Sequence, residues 1–353
     1  MNTKSYKKFF HKKKILITGN SGFVGSYLSI ILLLFGAKVL GFSLKKKNKG
    51  YLSNNKIYKK SIKTIYDNIL KIHHYKKKIK KFNPEIIIHL ASQPVVQESY
   101  KNTKETYLTN IFGTIELFEL VKKMPSVNQV LIFTSDKVYR NLKGKALNED
   151  ANLGGLDPYS SSKSSQDIIA NSYKESFFKY SKNIIIVRAG NIIGGGDFEF
   201  SRLIPDLFLS IKKNKKFFLR NPNAIRPWQH IFDVLNALLI IISNSYKKLE
   251  NNSIIFNIGP SKNSNIKVIN LVNKFKKNFD NFEFGIKNRS NFNETKILRL
   301  SNKKIKKKFN WKPYISTSLA LKLTAQWYEK FNHNPNNIYK FSLDQIKKYF
   351  YLK

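Results

Sequence analysis

Short apolar runs recur along the chain, each closed by glycine, proline or polar residues. Lys14-Ile-Leu-Ile-Thr18, Lys38-Val-Leu-Gly-Phe42, Glu85-Ile-Ile-Ile-His89, Val130-Leu-Ile-Phe133 and Asn183-Ile-Ile-Ile-Val187 are the clearest. Unbroken runs of this length predict strands buried on both faces, as in parallel sheets, where an alternating pattern would predict one wet face. Between them lie stretches that predict helices: Ser26 to Phe35, Ile69 to Lys80, a helix starting at Thr109-Asn110, and one running from Pro158 to about Tyr180 with Asp157 as N-cap. A weaker strand is expected near Ile57, in a Lys/Asn-rich stretch with little pattern. Strand and helix alternate throughout, so the expected fold class is α/β, a doubly wound parallel sheet that binds ligands at its C-terminal strand ends.

At 353 residues the chain exceeds one ordinary domain. Its character changes after Arg188, where strand runs give way to polar, glycine-rich loops. The expected division is a cofactor-binding domain over 1–190 and a smaller, mainly substrate-binding lobe over 191–353, with about 226–260 returning to the first domain. There is no cysteine, which removes disulfides, thiolate metal sites and thiol catalysis, and fits a cytoplasmic protein. The apolar stretch from Tyr27 to Leu40 is too short to span a bilayer, and no membrane association is expected.

A formal net charge of +42 ordinarily points to nucleic acid. Here 57 of the 64 basic residues are Lys, scattered among Asn and Ile instead of gathered on one element. Runs such as Lys12–Lys14, Lys45–Lys47, Lys76–Lys78 and Lys306–Lys308 read as solvated surface, and no nucleic-acid partner is expected. Only seven residues are Arg, and four of them, Arg188, Arg202, Arg220 and Arg226, lie within 188–226. Arg retained in a Lys-biased chain suggests planar bidentate recognition of a diphosphate or carboxylate, or else structural ion pairs.

The first strand runs straight into Gly19-Asn20-Ser21-Gly22-Phe23-Val24-Gly25. Glycines at this spacing let the backbone approach a pyrophosphate, which the following helix N-terminus stabilises. With a strand before it and a helix after it, the loop leads us to expect a dinucleotide cofactor, with plain turn chemistry as the alternative. The second strand should then deliver an acid to the adenosine ribose, but Ser43, Leu44 and three lysines follow it, so NAD is expected with NADP left open. His89 reads as a satisfied core histidine.

The strand at Val130–Phe133 ends in Thr134-Ser135-Asp136-Lys137, and a loop leads to Asp157-Pro-Tyr159-Ser-Ser-Ser-Lys163. The Tyr-x-x-x-Lys spacing alone carries no weight: with 18 Tyr and 57 Lys, roughly three such pairs arise by chance, and the chain has four, starting at Tyr100, Tyr139, Tyr159 and Tyr349. Tyr159 is distinguished by its capped helix, which follows a strand with a polar end downstream of the glycine loop.

These segments resemble the extended short-chain dehydrogenase/reductase superfamily that acts on nucleotide sugars. Leu153 to Lys163, Val187-Arg-Ala-Gly-Asn-Ile-Ile-Gly-Gly-Gly-Asp197, Arg202-Leu-Ile-Pro-Asp206 and Arg220-Asn-Pro-x-Ala-x-Arg-Pro-Trp-Gln-His230 narrow the resemblance to the CDP-glucose 4,6-dehydratase family. Trp311-Lys-Pro313, Trp327-Tyr328 and Phe341 to Ile346 extend it nearly to the C-terminus. The sequence departs from the family pattern at Val24, at Ser61-Ile-Lys63-Thr64, near the usual adenine-binding turn, and at Ser301.

The resemblance implies a Rossmann sheet, an NAD cofactor, a nucleotide-sugar substrate, a homodimer and a place in deoxysugar biosynthesis for lipopolysaccharide O-antigen. It implies cofactor contacts from Gly19 through Gly25 and from Leu90, Ala91, Ser92, Asn110, Tyr159 and Lys163. Substrate contacts would come from Gln93, Asn191, Arg202, Arg220, Arg226 and His230, and no metal is implied. Tyr159, its pKa depressed by Lys163, would be the base at the C4 hydroxyl with Ser135 bonded to the same oxygen. Asp136 would be the acid for the C6 oxygen and Lys137 the C5 base. A 4-epimerase or a GDP- or UDP-sugar dehydratase would share Tyr159 and Lys163. A nucleic-acid-binding regulator would leave the Ser135–Lys163 set without a purpose.

Overall fold

The structure, a computed structural model, describes residues 3–46, 51–140, 144–246, 254–279, 282–287 and 295–351. Lys47 of the Lys45–Lys47 run, Lys143 and Lys353 of two Tyr-x-x-x-Lys pairs, and part of the 226–260 segment lie outside these residues. Seven parallel strands form one sheet: β1 Lys14–Thr18, β2 Lys38–Ser43, β3 Lys63–Tyr66, β4 Ile86–His89, β5 Gln129–Ser135, β6 Asn183–Ala189 and β7 Ile254–Ile258. Their spatial order is β7-β6-β5-β4-β1-β2-β3, so the winding reverses between β1 and β4, where ligands bind in such sheets.

Alternate residues of each strand feed two separate cores. Ile15, Ile17, Ile86, Ile88, Leu131, Ile185 and Val187 face one, and Leu16, Ile87, Val130, Ile132, Ile184 and Ile186 face the other. The apolar runs therefore are doubly buried strands, and β5 extends to Ser135, carrying the polar residues to the sheet's edge.

Two local expectations fail. Ile57 lies in a short helix, Lys56–Ser61, not a strand: Asn55 caps it by accepting from the Ile57 amide, and Tyr58, not Ile57, is the buried anchor. The helical stretch expected from Thr109 begins earlier, at Thr103, because Asn110 lies inside a π-helical turn, Leu108–Phe112, and not at a start.

β7 pairs in parallel with β6 from Ile254↔Ile185 to Ile258↔Ala189. The helix before it, Ile231–Ser245, packs on the Phe23–Leu34 helix, with the Tyr27 and Phe232 rings 5.8 Å apart. The last helix, Ile338–Tyr351, packs at the C-terminal end of the Phe23–Leu34 helix, where Phe350 meets Phe35 at 6.0 Å. The loop after Gly194 is pressed onto the Trp327 indole; a Cβ on Gly195 would lie 1.9 Å from that ring. Tyr27 and Tyr328 hydroxyls donate to the Gly195 and Asp197 carbonyls, which fixes this loop over the sheet's C-terminal edge.

Candidate active site

A cleft of ≈ 430 Å³ runs along the C-terminal ends of β1, β4, β5 and β6. Gly19, with φ of 76°, begins the glycine loop, and a Cβ there would meet the Ala91 amide at 2.7 Å. A Cβ on Gly25 would meet the Gly19 carbonyl at 2.2 Å, so loop and helix are in direct contact. Gly19, Gly22, Phe23, Val24 and Gly25 line the cleft facing Leu90, Ala91 and Ser92. The closeness of backbone to backbone fits this loop to a dinucleotide pyrophosphate at the N-terminus of the Phe23–Leu34 helix.

Asn20 and Ser21 lie beneath that surface. The Asn20 amide donates to the Tyr58 hydroxyl at 3.1 Å and to Thr64 at 2.8 Å. The Ser21 and Ser43 hydroxyls are 2.6 Å apart. Asn110 and Gln93 likewise do not line the cleft. Asn110 accepts from the Gln93 amide at 2.8 Å and donates to Ser162 at 2.8 Å, tying the exit of β4 to the helix that carries Tyr159. β3 ends at Tyr66, so the cleft-lining residues at its edge are Asp67 and Asn68, three positions beyond the stretch 61–64 compared with the adenine turn.

Ser135, Asp136 and Lys137 leave β5 in a single turn whose first amides are capped by the Ser135 hydroxyl, which accepts from the Lys137 amide at 3.2 Å. Tyr159 and Lys163 stand on one face of the Pro158–Tyr173 helix, with Asp157 accepting from the Ser160 amide at 2.9 Å as its cap. All five line the cleft.

The electrostatics differ from expectation at Tyr159. Burial pushes its phenol up to about 12, opposed by the Ser135 hydroxyl and the positive charge of Arg202. The protein's own charges therefore do not depress it below its ordinary value. Lys163 is itself pushed down to about 7 by burial, its ammonium nitrogen bonded to Gln166 at 2.8 Å and the Phe133 carbonyl at 3.4 Å. Burial also raises the Asp136 carboxyl, and it outweighs the opposing pulls of Lys137, Ser135 and Arg226. Asp136 is 3% exposed, accepts from Ser135 at 3.0 Å through Oδ1, and has no hydrogen-bond partner at Oδ2 among the described residues. A buried carboxyl with a raised pKa and an open oxygen is suited to giving a proton.

Of the four arginines between 188 and 226, three reach the cleft: Arg202, Arg220 and Arg226, together with Asn191. Arg188 does not. Its guanidinium is buried in a bidentate pair with Asp167 at 2.7 and 2.8 Å and also donates to Tyr139. Arg202 donates to Asp197 at 2.8 Å, which aims it across the cleft toward Tyr159. Three cleft residues carried no signal of their own in the sequence: Asp67, Glu199 and Trp228. Trp228 lies within the Arg-Pro-Trp-Gln-His motif, and its buried indole N–H has no partner among the described residues.

His89 is a core histidine between Thr18 at 2.7 Å and Thr114 at 3.1 Å. His230 does not line the cleft; its ring caps the Ile231–Ser245 helix by accepting from the Phe232 amide at 3.3 Å. Burial pushes both from 6.5 down to about 3, helped at His89 by the charge of Lys163. Their stabilisation is complete above 6.5 and is lost as pH falls toward about 3, since only the unfolded rings gain protons there. Each is expected to remove on the order of 2 kcal/mol by about pH 5. The raised carboxyls of Asp136 and Asp206 act in the opposite sense. His230→Asn keeps a capping side chain without the titration, so its unfolding midpoint should drop less on acidification than that of the unaltered chain. Equal drops would contradict this.

A parallel sheet with a glycine loop at its switch point, Ser135 at the end of β5 and Tyr159 with Lys163 on the Pro158–Tyr173 helix has the architecture of a dinucleotide-dependent site of the short-chain dehydrogenase/reductase class. A family profile described as GDP-mannose 4,6 dehydratase matches residues 16–324, and the chain belongs to that family. It is 32% identical to the CDP-glucose 4,6-dehydratase of Salmonella typhimurium, over 92% of this chain and 92% of that protein. It is 25% identical to the dTDP-D-glucose 4,6-dehydratase of Homo sapiens, over 93% of each. Among solved structures, a Bacillus anthracis dTDP-glucose 4,6-dehydratase in complex with NAD superposes with a TM-score of 0.75 at 25% identity, covering 91% of this chain and 98% of that one. An epimerase from Methanothermobacter thermautotrophicus shares the fold, with a TM-score of 0.82 at 21% identity over 96% of this chain and 97% of that one.

Proposed function

We propose that this chain is an NAD-dependent nucleotide-sugar 4,6-dehydratase that converts CDP-glucose to CDP-4-keto-6-deoxyglucose and water. The observation that carries this reading is Asp136, a buried, raised carboxyl with an open oxygen, beside Lys137 and within one turn of Ser135. Redox or epimerisation at C4 needs Ser135, Tyr159 and Lys163; it has no use for a second acid and base. Elimination of water across C5 and C6 needs both.

NAD would be held by Gly19, Gly22, Phe23, Val24, Gly25, Leu90, Ala91 and Ser92, and would supply the hydride acceptor for C4 and the donor for C6. Tyr159 takes the C4 hydroxyl proton, with the Ser135 hydroxyl orienting the same oxygen. Lys163, on the same helix face and pushed down to about 7, takes the phenol's own proton, which leaves Tyr159 as the phenolate that accepts from the C4 hydroxyl. With C4 a ketone, the C5 proton is acidic; Lys137 removes it and returns a proton to C5 when hydride reaches C6. Asp136 delivers its proton to the departing C6 oxygen, which leaves as water. Arg202, Arg220, Arg226 and Asn191 bind the diphosphate, and residues 191–353 thereby serve mainly the nucleotide sugar.

The same reading makes the protein a cytoplasmic homodimer that does not act on nucleic acid. Phe112 and Ile168, 51% and 55% exposed on neighbouring helices, supply an apolar face for a second copy. Incubation with a panel of NDP-hexoses is the test of substrate: CDP-glucose should give the alkali chromophore of a 4-keto-6-deoxysugar and a mass loss of one water. Turnover confined to a different nucleotide would overturn the choice of CDP-glucose and leave the dehydration intact.

A further inference from the structure

The second strand is followed by no acid for the adenosine ribose, and a lysine just past its end meets a carboxylate from elsewhere in the chain. Lys46, three residues past β2, lines the cleft, and so does Glu199, which arrives from the opposite half of the molecule. The Lys46 ammonium is ion-paired with Glu199 Oε1. The Tyr51 hydroxyl donates to the same oxygen at 2.7 Å, and its ring lies 5.1 Å from the ammonium.

Both partners are fixed by their own surroundings. Ser21 of the glycine loop donates to the Leu44 carbonyl at 2.6 Å, and Asn54 donates to the Lys46 carbonyl at 2.9 Å. The segment after β2 is therefore fastened to the pyrophosphate loop, on the side where the ribose of a dinucleotide lies. On the other side, Asp197 accepts from the Glu199 amide at 3.2 Å and from Arg202 at 2.8 Å.

We infer that the Lys46–Glu199 pair selects NAD over NADP. A lysine at the end of β2 would by itself attract a 2′-phosphate. Glu199 engages that lysine and sets a carboxylate beside it, so a phosphorylated ribose meets negative charge where a ribose hydroxyl meets an acceptor. The missing acid of the second strand is thus supplied across the cleft. This rests on the proposed dehydratase reading only in taking NAD as the cofactor.

The test is equilibrium binding of NAD and NADP, followed by quenching of protein fluorescence, without any sugar nucleotide. The unaltered chain should favour NAD by about tenfold or more, the size of one charge-assisted contact. Glu199→Gln should bind NADP about tenfold more tightly than the unaltered chain does, and adding Lys46→Gln should abolish that gain. Lys46→Gln alone should weaken NADP further, which gives a reading independent of how well Glu199→Gln folds. Equal affinity for both dinucleotides in the unaltered chain, or an NADP gain that survives loss of Lys46, would overturn the selector and leave the dehydratase reading standing. Failure to bind either dinucleotide would overturn both.

Discussion

Asp136→Asn protein, given CDP-glucose, should show the near-ultraviolet absorbance of reduced nicotinamide and form almost no dehydrated product. The carboxamide has nearly the shape of the carboxyl, so the turn at Ser135–Val138 should hold. What it lacks is a proton to give. Loss of a general acid lowers the rate by roughly 10²–10⁴-fold, and here the loss falls after C4 oxidation, so the oxidised sugar accumulates. The pH profile provides a second reading. Burial raises the Asp136 carboxyl, so in the unaltered enzyme the protonated form persists to higher pH than for an ordinary aspartate and disappears as pH rises through that raised value. Elimination should therefore lose rate on the alkaline side, and the limb due to Asp136 should be missing from the Asn variant's residual rate. Normal product formation by the variant would remove Asp136 from the role of acid.

Tyr159→Phe should fail one step earlier, with no reduced-nicotinamide absorbance at all and a loss of product of at least about 10²–10⁴-fold. The ring's packing is kept, and the hydroxyl that takes the C4 proton is gone. The phenol's raised position, about 12, sharpens this prediction. The Ser135 hydroxyl and the Arg202 charge pull it toward ionisation, so removing either pull should slow oxidation at neutral pH and shift its rate toward higher pH. If Tyr159→Phe oxidises C4 at the normal rate, the base lies elsewhere.

Five of the seven strands were legible because unbroken apolar runs such as Ile86–His89 are buried on both faces; the edge strand Lys63–Tyr66, exposed at both ends, and the strand Ile254–Ile258 were not read. The stretch around Ile57 misled because a lone apolar residue among lysines has no period. Tyr58 anchors that helix through bonds to Asn20, 38 residues earlier, which no local pattern reveals. Asp136 and Lys137 could be found from position, as polar residues just past a buried strand. Tyr159 and Lys163 needed the same context, since lysine content makes their spacing uninformative. Contacts between distant segments were out of reach. Whether Arg188 binds a ligand or an ion-pair partner was open until Asp167 beside it decided for the pair, and the 152 residues between Lys46 and Glu199 hid the pair that stands in for the second strand's acid.

The central claim is that oxidation at C4, elimination across C5 and C6, and reduction at C6 occur on one sugar in one site. CDP-glucose carrying deuterium at C4 tests it most directly. The account predicts a 4-keto-6-deoxy product, lighter by one water, with the deuterium now on C6. Deuterium returned to C4 in an epimer, or lost to solvent while the C6 hydroxyl remains, would contradict it.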